Sequence, residues 1–541
     1  MTALLTDNLP LLAGAPNGIK KLRELILELA VRGKLVPQDP SDEPASELLK
    51  RIHVEKQRLL VASKARKQKE LAADVLSEPP YGVPSGWEWQ TLDSVLYVTG
   101  GVTLGRKLAG RKLLSKPYLR VANVQRGHLV LDQIKEVEIP EDEVEKYLLL
   151  SGDLLITEGG DWDKVGRTAI WRDELPECLH QNHVFRARAV TAEWEPRWAE
   201  IYLNSATARE YFAGSSKQTT NLASINMTQL RACAFPLPPL AEQHRIVTKV
   251  DELMALCDRL EARQADAASA HARLVQALLD SLTQASDADD FAASWQRLAE
   301  HFHSLFTSEA SIDALKQALL QLAVMGKLVP QEAEGNEQDE LPAGWCTQKI
   351  EDFCTVQGGI QKTPLRRPVS QHFPYLRVAN VQRGRIDIKE LERYELSLDE
   401  LEKWRLNAGD LLIVEGNGSE SEIGRCAIWR GEVTDCVYQN HLMRVRPKVA
   451  EQVEYLALYL NSPVGMAHMK RLAITTSGLF NLSVGKIRSI PVALPPLTEQ
   501  HRIVAKLDQL MTLCDQFKAR LTAARQLHER LAGALVEQAV A

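Results

Sequence analysis

The chain has 541 residues, too many for one hydrophobic core, and its 45% hydrophobic and 25% charged content is that of a water-soluble globular protein. No apolar run reaches the ~18 residues of a membrane span, the N-terminus lacks the basic start and apolar segment of a signal peptide, and the eight scattered cysteines include no C-x-x-C pair. A membrane protein and a disulfide or zinc scaffold are therefore disfavoured, and a cytoplasmic location with reduced thiols is expected. The net charge of −6 does not suggest a polyanion binder, but binding depends on where the charges sit rather than on their sum.

Residues 1–38 read as a helical segment ending in LAVRGKLVPQ. A basic helix and linker follow over 39–84, where the stretch 44–70 holds eight Lys/Arg against three acids. Contact with DNA, contact with an acidic subunit and a plain solvated helix all stay open for it. SEPPYG (77–82) resembles the D/N-P-P-Y tetrad of amino-methyltransferases, but its first position is Glu78 and no Gly-rich cofactor loop follows a strand, so a Pro-rich linker is the reading.

Residues 85–237 read as a mixed α/β globule with short strand-like runs punctuated by Gly and Pro. It opens on TGGVTLGR, whose glycines would allow close backbone approach. Between Asp93 and Asp132 there is no acid, while Arg106, Lys107, Arg111, Lys112, Lys116, Arg120 and Arg126 supply seven positive charges. GRKLAGRK within this window lacks the G-K-[ST] ending of a phosphate loop. The window closes on PYLRVANVQRG, and GDLLITEG and QNH follow. HVFRARAV alternates, with Phe185, Ala187 and Ala189 on one face and Arg186 and Arg188 on the other. A helix carrying Trp198, Ile201 and Tyr202 on one side is expected before Arg209.

A long helix is expected over 238–283, starting after a Pro-Pro pair. Its positions 246, 250, 253, 257, 260, 264, 267, 271, 274 and 278 form a heptad stripe that includes Val250, Leu253, Cys257, Leu260 and His271. Residues 284–341 form a connector that repeats the N-terminal helix as LAVMGKLVPQ. A second globule spans 342–494 and a second long helix 495–541, with Leu507, Leu510, Cys514, Phe517 and His528 at the matching stripe positions.

The second half is a copy of the first. PYLRVANVQRG recurs letter for letter 257 positions later (374 − 117), and PSGW, GDLLI-x-EG, QNH, YLNS and PPL-x-EQHRIV recur with it. The acid-free window also recurs between Asp352 and Asp387, holding Lys362, Arg366, Arg367, Arg377, Arg383 and Arg385. The fold expected is α+β: two tandem-duplicated α/β domains and two long helices that pair with each other as an antiparallel coiled coil about a pseudo-twofold axis. Parallel pairing, or packing of each helix on its own globule or on another protein, are the alternatives.

A basic window found twice in register favours a polyanion, because cations along a backbone release its condensed counterions. The frames repeat while the loops between them differ, as in VTLGRKLAGRKLLSK against IQKTPLRRPVSQHF. Such a division suits DNA reading, in which phosphate contacts position and other side chains specify. The carboxylates Asp153 and Glu158, repeated as Asp410 and Glu415, lack a matched lysine and read as turn and strand-end residues rather than a nuclease centre. His183 and His441 show no partner pattern for metal or nucleophile chemistry, and His271 and His528 read as hydrogen-bonded stripe residues. A self-sufficient DNA-modifying enzyme and a protein–protein scaffold are the competing classes.

Taken together, the two L-P-P-L-x-EQHRIV helix starts, the two GKLVPQ segments, the PYLRVANVQRG and GDLLI-x-EG frames and the matched long helices resemble the specificity subunit of type I restriction–modification systems, from about residue 19 to the C-terminus. That resemblance implies two target-recognition domains, each reading one half of a bipartite asymmetric DNA site. The conserved helices would set the gap and dock two methyltransferase subunits, with restriction–translocation subunits joining them. The chain itself would be non-catalytic and bind no cofactor or metal, with S-adenosylmethionine, Mg2+ and ATP on its partners. Docking would fall at Glu242, Gln243, Arg245 and Ile246 and at Glu499, Gln500, Arg502 and Ile503.

Overall fold

Each copy of the repeat builds the same three small sheets. The computed structural model describes residues 9–540 apart from 63–70, 72–78, 107, 161–163, 216, 220–221, 287, 331–340, 417–422 and 474–480. It divides into two units, Met1–Asp266 with Arg525–Ala541 and Ala267–Ala524.

In the first unit, helices α1 (Leu9–Gly14), α2 (Gly18–Val31) and α3 (Ala45–Ala62) precede the globule. Its strands are β1 (Glu88–Thr91), β2 (Leu96–Thr99), β3 (Leu113–Leu119), β4 (Lys135–Pro140), β5 (Leu154–Thr157), β6 (Thr168–Ile170), β7 (Leu179–His180), β8 (Val184–Ala189) and β9 (Ala234–Leu237). Helix α4 (Pro196–Leu203) follows β8, and its Trp198, Ile201 and Tyr202 are buried as expected. The sheets shared with the second copy are an antiparallel β2-β8-β5-β6, a mixed β4-β3-β7 in which β3 and β7 run parallel, and a β1-β9 pair, and Gly159–Gly160, Lys217–Thr219 and Leu222–Ser224 form a further small sheet.

The long helix α5 (Leu240–Thr283) and the connector helices α6 (Ala288–Glu300) and α7 (Glu309–Val324) lead to the second copy. There β10 (Cys346–Lys349), β11 (Cys354–Gly358), β12 (His372–Leu376), β13 (Glu392–Glu395), β14 (Asp410–Val414), β15 (Cys426–Trp429), β16 (Val437–Tyr438), β17 (Leu442–Pro447) and β18 (Pro491–Leu494) repeat the sheets as β11-β17-β14-β15, β13-β12-β16 and β10-β18. Helix α8 (Val453–Asn461) matches α4, and α9 (Leu497–Val540) is the second long helix.

The GDLLI segments become the inner strands β5 and β14, buried along their whole length. That burial on both faces is why they read as continuous apolar runs rather than as an alternation. The alternation in HVFRARAV is real on one face only. Phe185 and Ala187 enter the core, but Arg186 is buried too, donating to the Leu148 carbonyl oxygen at 2.8 Å. Burial pushes its guanidinium down to about 10. Arg188 reaches the buried carboxylate of Asp153 with two bonds of 2.6 Å, and Arg446 reaches Asp410 at 2.5 and 2.8 Å. The same carboxylates accept turn amides from Leu150 and Asn407, so Asp153 and Asp410 have the turn role expected of them.

The glycine pairs serve the fold itself. A Cβ on Gly101 would lie 2.1 Å from the His180 carbonyl oxygen, and one on Gly359 would lie 2.3 Å from that of Gln439. The close approach expected of the TGG and QGG openings is therefore to the protein's own backbone.

The two 44-residue helices are single elements, and each has residues in both units. The ten-position stripe, however, is not used in one run. Val250, Leu253 and Cys257 are buried and Leu260 half-buried in the first core, whereas Gln264 and Ala267 are exposed and Leu274 is 53% exposed. From His271 onward the buried positions shift by one residue to Val275, Leu279 and Leu282. In α9 the same happens: Leu507, Leu510, Cys514 and Phe517 pack in the second core, then Leu531 is 48% exposed while Ala532 and Ala539 are buried in the first. A straight helix drifts ~20° per heptad from a 3.5-residue stripe, so contact along all ten positions needs supercoiling against one partner. Here each part of each helix also packs on short helices of its own unit. Arg23 of α2 bonds Asp258 at 2.5 Å and Glu261 at 2.8 Å on α5, and Lys21 bonds the Glu529 carbonyl oxygen on α9 at 2.9 Å. In the second unit Lys518 pairs with Asp313 of α7 at 2.8 Å. The matched stripe histidines are hydrogen-bonded, His271 to the Ser304 carbonyl oxygen at 3.1 Å and His528 to that of Leu11 at 2.9 Å.

Part of the basic insertion is structural. Ala45, Leu48 and Ile52 of α3 are buried in the first core, and Arg51 pairs with Glu43 and Glu193. Its residues 63–70 lie outside the described chain.

Candidate nucleic-acid interface

The duplicated eleven residues form a strand end and a locked turn. Tyr118, Leu119 and Val124 are buried, as are Tyr375, Leu376 and Val381. The turn is held by an asparagine that sequence reading passed over. Asn123, 3% exposed, accepts from the Arg120 amide at 2.9 Å and donates to the Val130 carbonyl oxygen at 2.8 Å. Asn380 accepts from the Arg377 amide at 2.8 Å and donates to the carbonyl oxygens of Asp387 and Glu390. The motif ends at Gly127 and Gly384, with φ of +73° and +71°, where a side chain would be strained. The signal for the asparagine was available: it is an uncharged polar residue kept unchanged inside a repeated motif whose neighbours are mostly apolar.

The basic windows do not stay acid-free in space. Strand β3 pairs antiparallel with β4 from Leu113↔Pro140 to Tyr118↔Lys135, and this hairpin carries the acidic run after β4 back onto the cations. Arg106 pairs with Glu143 at 2.8 Å, Arg111 with Glu143 and Asp142, Lys112 with Glu141 at 2.8 Å, and Lys116 with Glu177 at 2.5 Å. In the second unit Lys362 and Arg377 share Glu392, and Arg366 meets Glu400 at 2.9 Å. The expected sign-segregated face is thus corrected to a rim of exchangeable ion pairs. Each such surface pair contributes only ~0–1 kcal/mol, so a phosphate can replace its carboxylate at small cost. Arg120 donates to the Gln133 carbonyl oxygen, and Arg383 to the Asn461 side chain. Arg126 is half-buried. Arg367 and Arg385 are exposed with no ion pair among the described residues. Lys107 lies outside them.

At the end of each inner strand the structure joins two residues that looked unrelated in sequence. His183 Nδ1 bonds the Glu158 carboxylate, and His441 Nδ1 bonds Glu415 at 2.7 Å. Both histidines are about half exposed, and Asn182 and Asn440 lie 3.4 and 3.5 Å from their Nε2 atoms. This Asn–His–Glu array is the same in both units and sits beside loops that differ. Its signal was the recurrence of both partners, at offsets of 257 (415 − 158) and 258 (441 − 183).

The proposed docking residues are mostly interior. Glu242 is buried, and burial pushes its carboxyl upward despite hydrogen bonds from Trp87 Nε1 at 2.8 Å and Gln38 Nε2 at 2.5 Å. Glu499 accepts from Trp345 Nε1 at 3.1 Å. Gln243 and Gln500 each donate at 2.9 Å to a carbonyl oxygen of the preceding Pro-Pro pair, and Ile246 and Ile503 are fully buried. Arg245 is bidentate to Asp42, and Arg502 is half-buried. The EQ-x-x-I pattern therefore fastens each long helix to its globule, and six of the eight residues have no surface to offer a partner. Beside them His244 and His501 are exposed.

Among the described residues no group of His, Cys, Asp and Glu is placed to hold a metal ion, and no helix is long and apolar enough to cross a membrane.

A family model described as "Type I restriction modification DNA specificity domain" matches residues 84–268 and 342–524. The chain is 31% identical to the type I restriction enzyme EcoEI specificity subunit of Escherichia coli, over 97% of this chain and 94% of that one. It is 30% identical to the EcoAI specificity subunit of Escherichia coli, again over 97% of this chain and 94% of that one. A solved chain of a type I R-M system matches with a TM-score of 0.50 at 18% identity, over 85% of this chain and 99% of that one.

Proposed function

The chain belongs to the type I restriction–modification DNA specificity family, and from that premise we propose how its two halves divide the work. It is a specificity subunit, without catalysis of its own. Each of the globules 85–237 and 342–494 reads one half of a split, asymmetric DNA site. The observation that carries this reading is the contrast within one chain: two copies of one frame, held by the same buried asparagine, tryptophan–glutamate and arginine–aspartate bonds, with unlike loops between them. Like frames grip the backbone in like ways, and unlike loops discriminate bases.

The long helices set the gap between the half-sites. Two adenine methyltransferase subunits dock near the helix starts, through exposed neighbours such as His244 and His501 rather than through the buried Glu-Gln pairs. Restriction–translocation subunits join that complex in the cytoplasm. S-adenosylmethionine, Mg2+ and ATP act on those partners.

The deciding experiment is a map of methylated adenines in DNA from cells carrying the whole system. One split motif is expected, and exchanging residues 85–237 for another family member's should change only one half of it. An unsplit motif, or an exchange that leaves both halves unchanged, would overturn the reading.

A further inference from the structure

The loop after the second glycine pair presents apolar side chains to solvent while being held rigidly. Leu365 is 92% exposed and Val369 85% exposed. Neither belongs to a loose segment. Leu365 is the middle residue of a one-turn 3-10 helix, Pro364–Arg366, and Arg366 is fixed to Glu400 at 2.9 Å. On the other side, Glu395 at the end of β13 accepts the backbone amides of Val369, Ser370 and Gln371 at 2.8–3.2 Å and the Ser370 hydroxyl at 2.8 Å. These bonds hold its carboxyl at about 2, well below the usual range. Pro364 and Pro368 fix two further φ angles. The loop cannot fold its leucine and valine inward.

Cations flank the two side chains. Lys362, Arg366 and Arg367 lie within eight residues, with no acid between Asp352 and Asp387, and Arg367 is exposed with no ion pair among the described residues. An apolar tip flanked by the exposed Arg367, and by Lys362 and Arg366 in exchangeable pairs with Glu392 and Glu400, is complementary to a polyanion that displays an apolar group. In the major groove of DNA that group is the thymine 5-methyl, the one apolar element among the base edges there. The first unit has no equal among the described residues: the matching loop exposes Leu104 alone, at 44%, against Leu365 and Val369 here.

Building on the specificity reading above, we propose that Leu365 and Val369 are specificity-determining residues of the second domain. They pack on thymine methyl groups in its half-site while Arg367 meets the adjacent phosphate. The apolar pair then selects T·A over C·G at a position where hydrogen bonding is not the discriminator.

The test uses the full chain assembled with its methyltransferase and duplexes carrying the mapped split site. Each thymine of the half-site assigned to residues 342–494 is replaced by deoxyuridine, which lacks only the methyl group. One or two positions should lose about fourfold in affinity, the value of one methyl removed from water. Leu365→Ala should weaken binding to the thymine duplex, abolish the thymine–uracil difference, and leave the melting temperature and the other half-site unaffected. Val369→Ala should do the same at the neighbouring position. A half-site without thymine, a wild-type complex indifferent to uracil, or a variant equally weakened on both duplexes would overturn the assignment while leaving the specificity function standing. Absence of any split site would instead defeat the function on which it rests.

Discussion

The loops 102–116 and 360–373 follow the same glycine pair and lead into the same strand, yet they are built on different principles. The first is an ion-pair lattice: Arg106, Arg111 and Lys112 each face a carboxylate of the run Glu141–Glu143. The second is a rigid apolar tip, with one carboxylate, Glu395, gathering three successive amides. Around both, the frame bonds are the same. A recognition domain can thus change what it presents without changing what holds it up, because the frame is satisfied internally and asks nothing of the loop.

The strongest way to break that comparison is to attack the shared frame. Trp87→Ala and Trp345→Ala each remove a buried ring and the donor to a buried glutamate, so each should cost about 3–5 kcal/mol in denaturant unfolding of its unit. Unequal losses would mean that the frames are not equivalent. Asn123→Ala and Asn380→Ala each strand buried turn groups and should cost about 2 kcal/mol. DNA binding in the affected half should fall with the fold of the turn.

Loop charges act on binding rather than on folding. Arg367→Ala should leave stability within ~0.5 kcal/mol and lower by about one the slope of log affinity against log salt. In the first unit Glu143→Gln removes the carboxylate shared by Arg106 and Arg111, and binding at low salt should rise. A fall there would show that the pairs orient the arginines for DNA instead of competing with it.

The smallest effect is in pH. Glu395 has a folded value of about 2, below its unfolded one of ~4.3, so its support for the loop is complete above pH 4.3 and fades as pH drops towards 2. Amide exchange at Val369, Ser370 and Gln371 should remain slow at pH 3.5. Glu395→Gln should make it fast at every pH, whereas fast exchange in the unsubstituted chain at pH 3.5 would remove the carboxylate as the anchor.

Local pattern made the frame legible in the sequence. The buried runs of β5 and β14, the helix starts after Pro-Pro and the turn roles of Asp153 and Asp410 all follow from neighbours within a few residues. What was misread depends on partners far along the chain. The basic window of the first unit counts no acid because its acids arrive by strand pairing, 21 to 61 residues on in sequence. The Glu-Gln pairs resemble a surface signature because they repeat, but they are fastened inside, the glutamates by Trp87 and Trp345 and the glutamines by the carbonyl oxygens of Pro238 and Pro495. The heptad stripe was right at its start in each helix and slipped by one residue after its midpoint, where different short helices take over the packing.

The late packing of α9 also has a consequence in time. Ala532 and Ala539 complete a core whose other residues end near Cys257. At ~5–20 residues per second, a ribosome takes roughly 13–50 s to travel from residue 266 to residue 525. Throughout that interval the N-terminal unit is synthesised but unfinished, with an apolar surface open. The segment 525–540 that completes this core follows the second globule in the chain, so the first reader cannot be finished until the second has been translated.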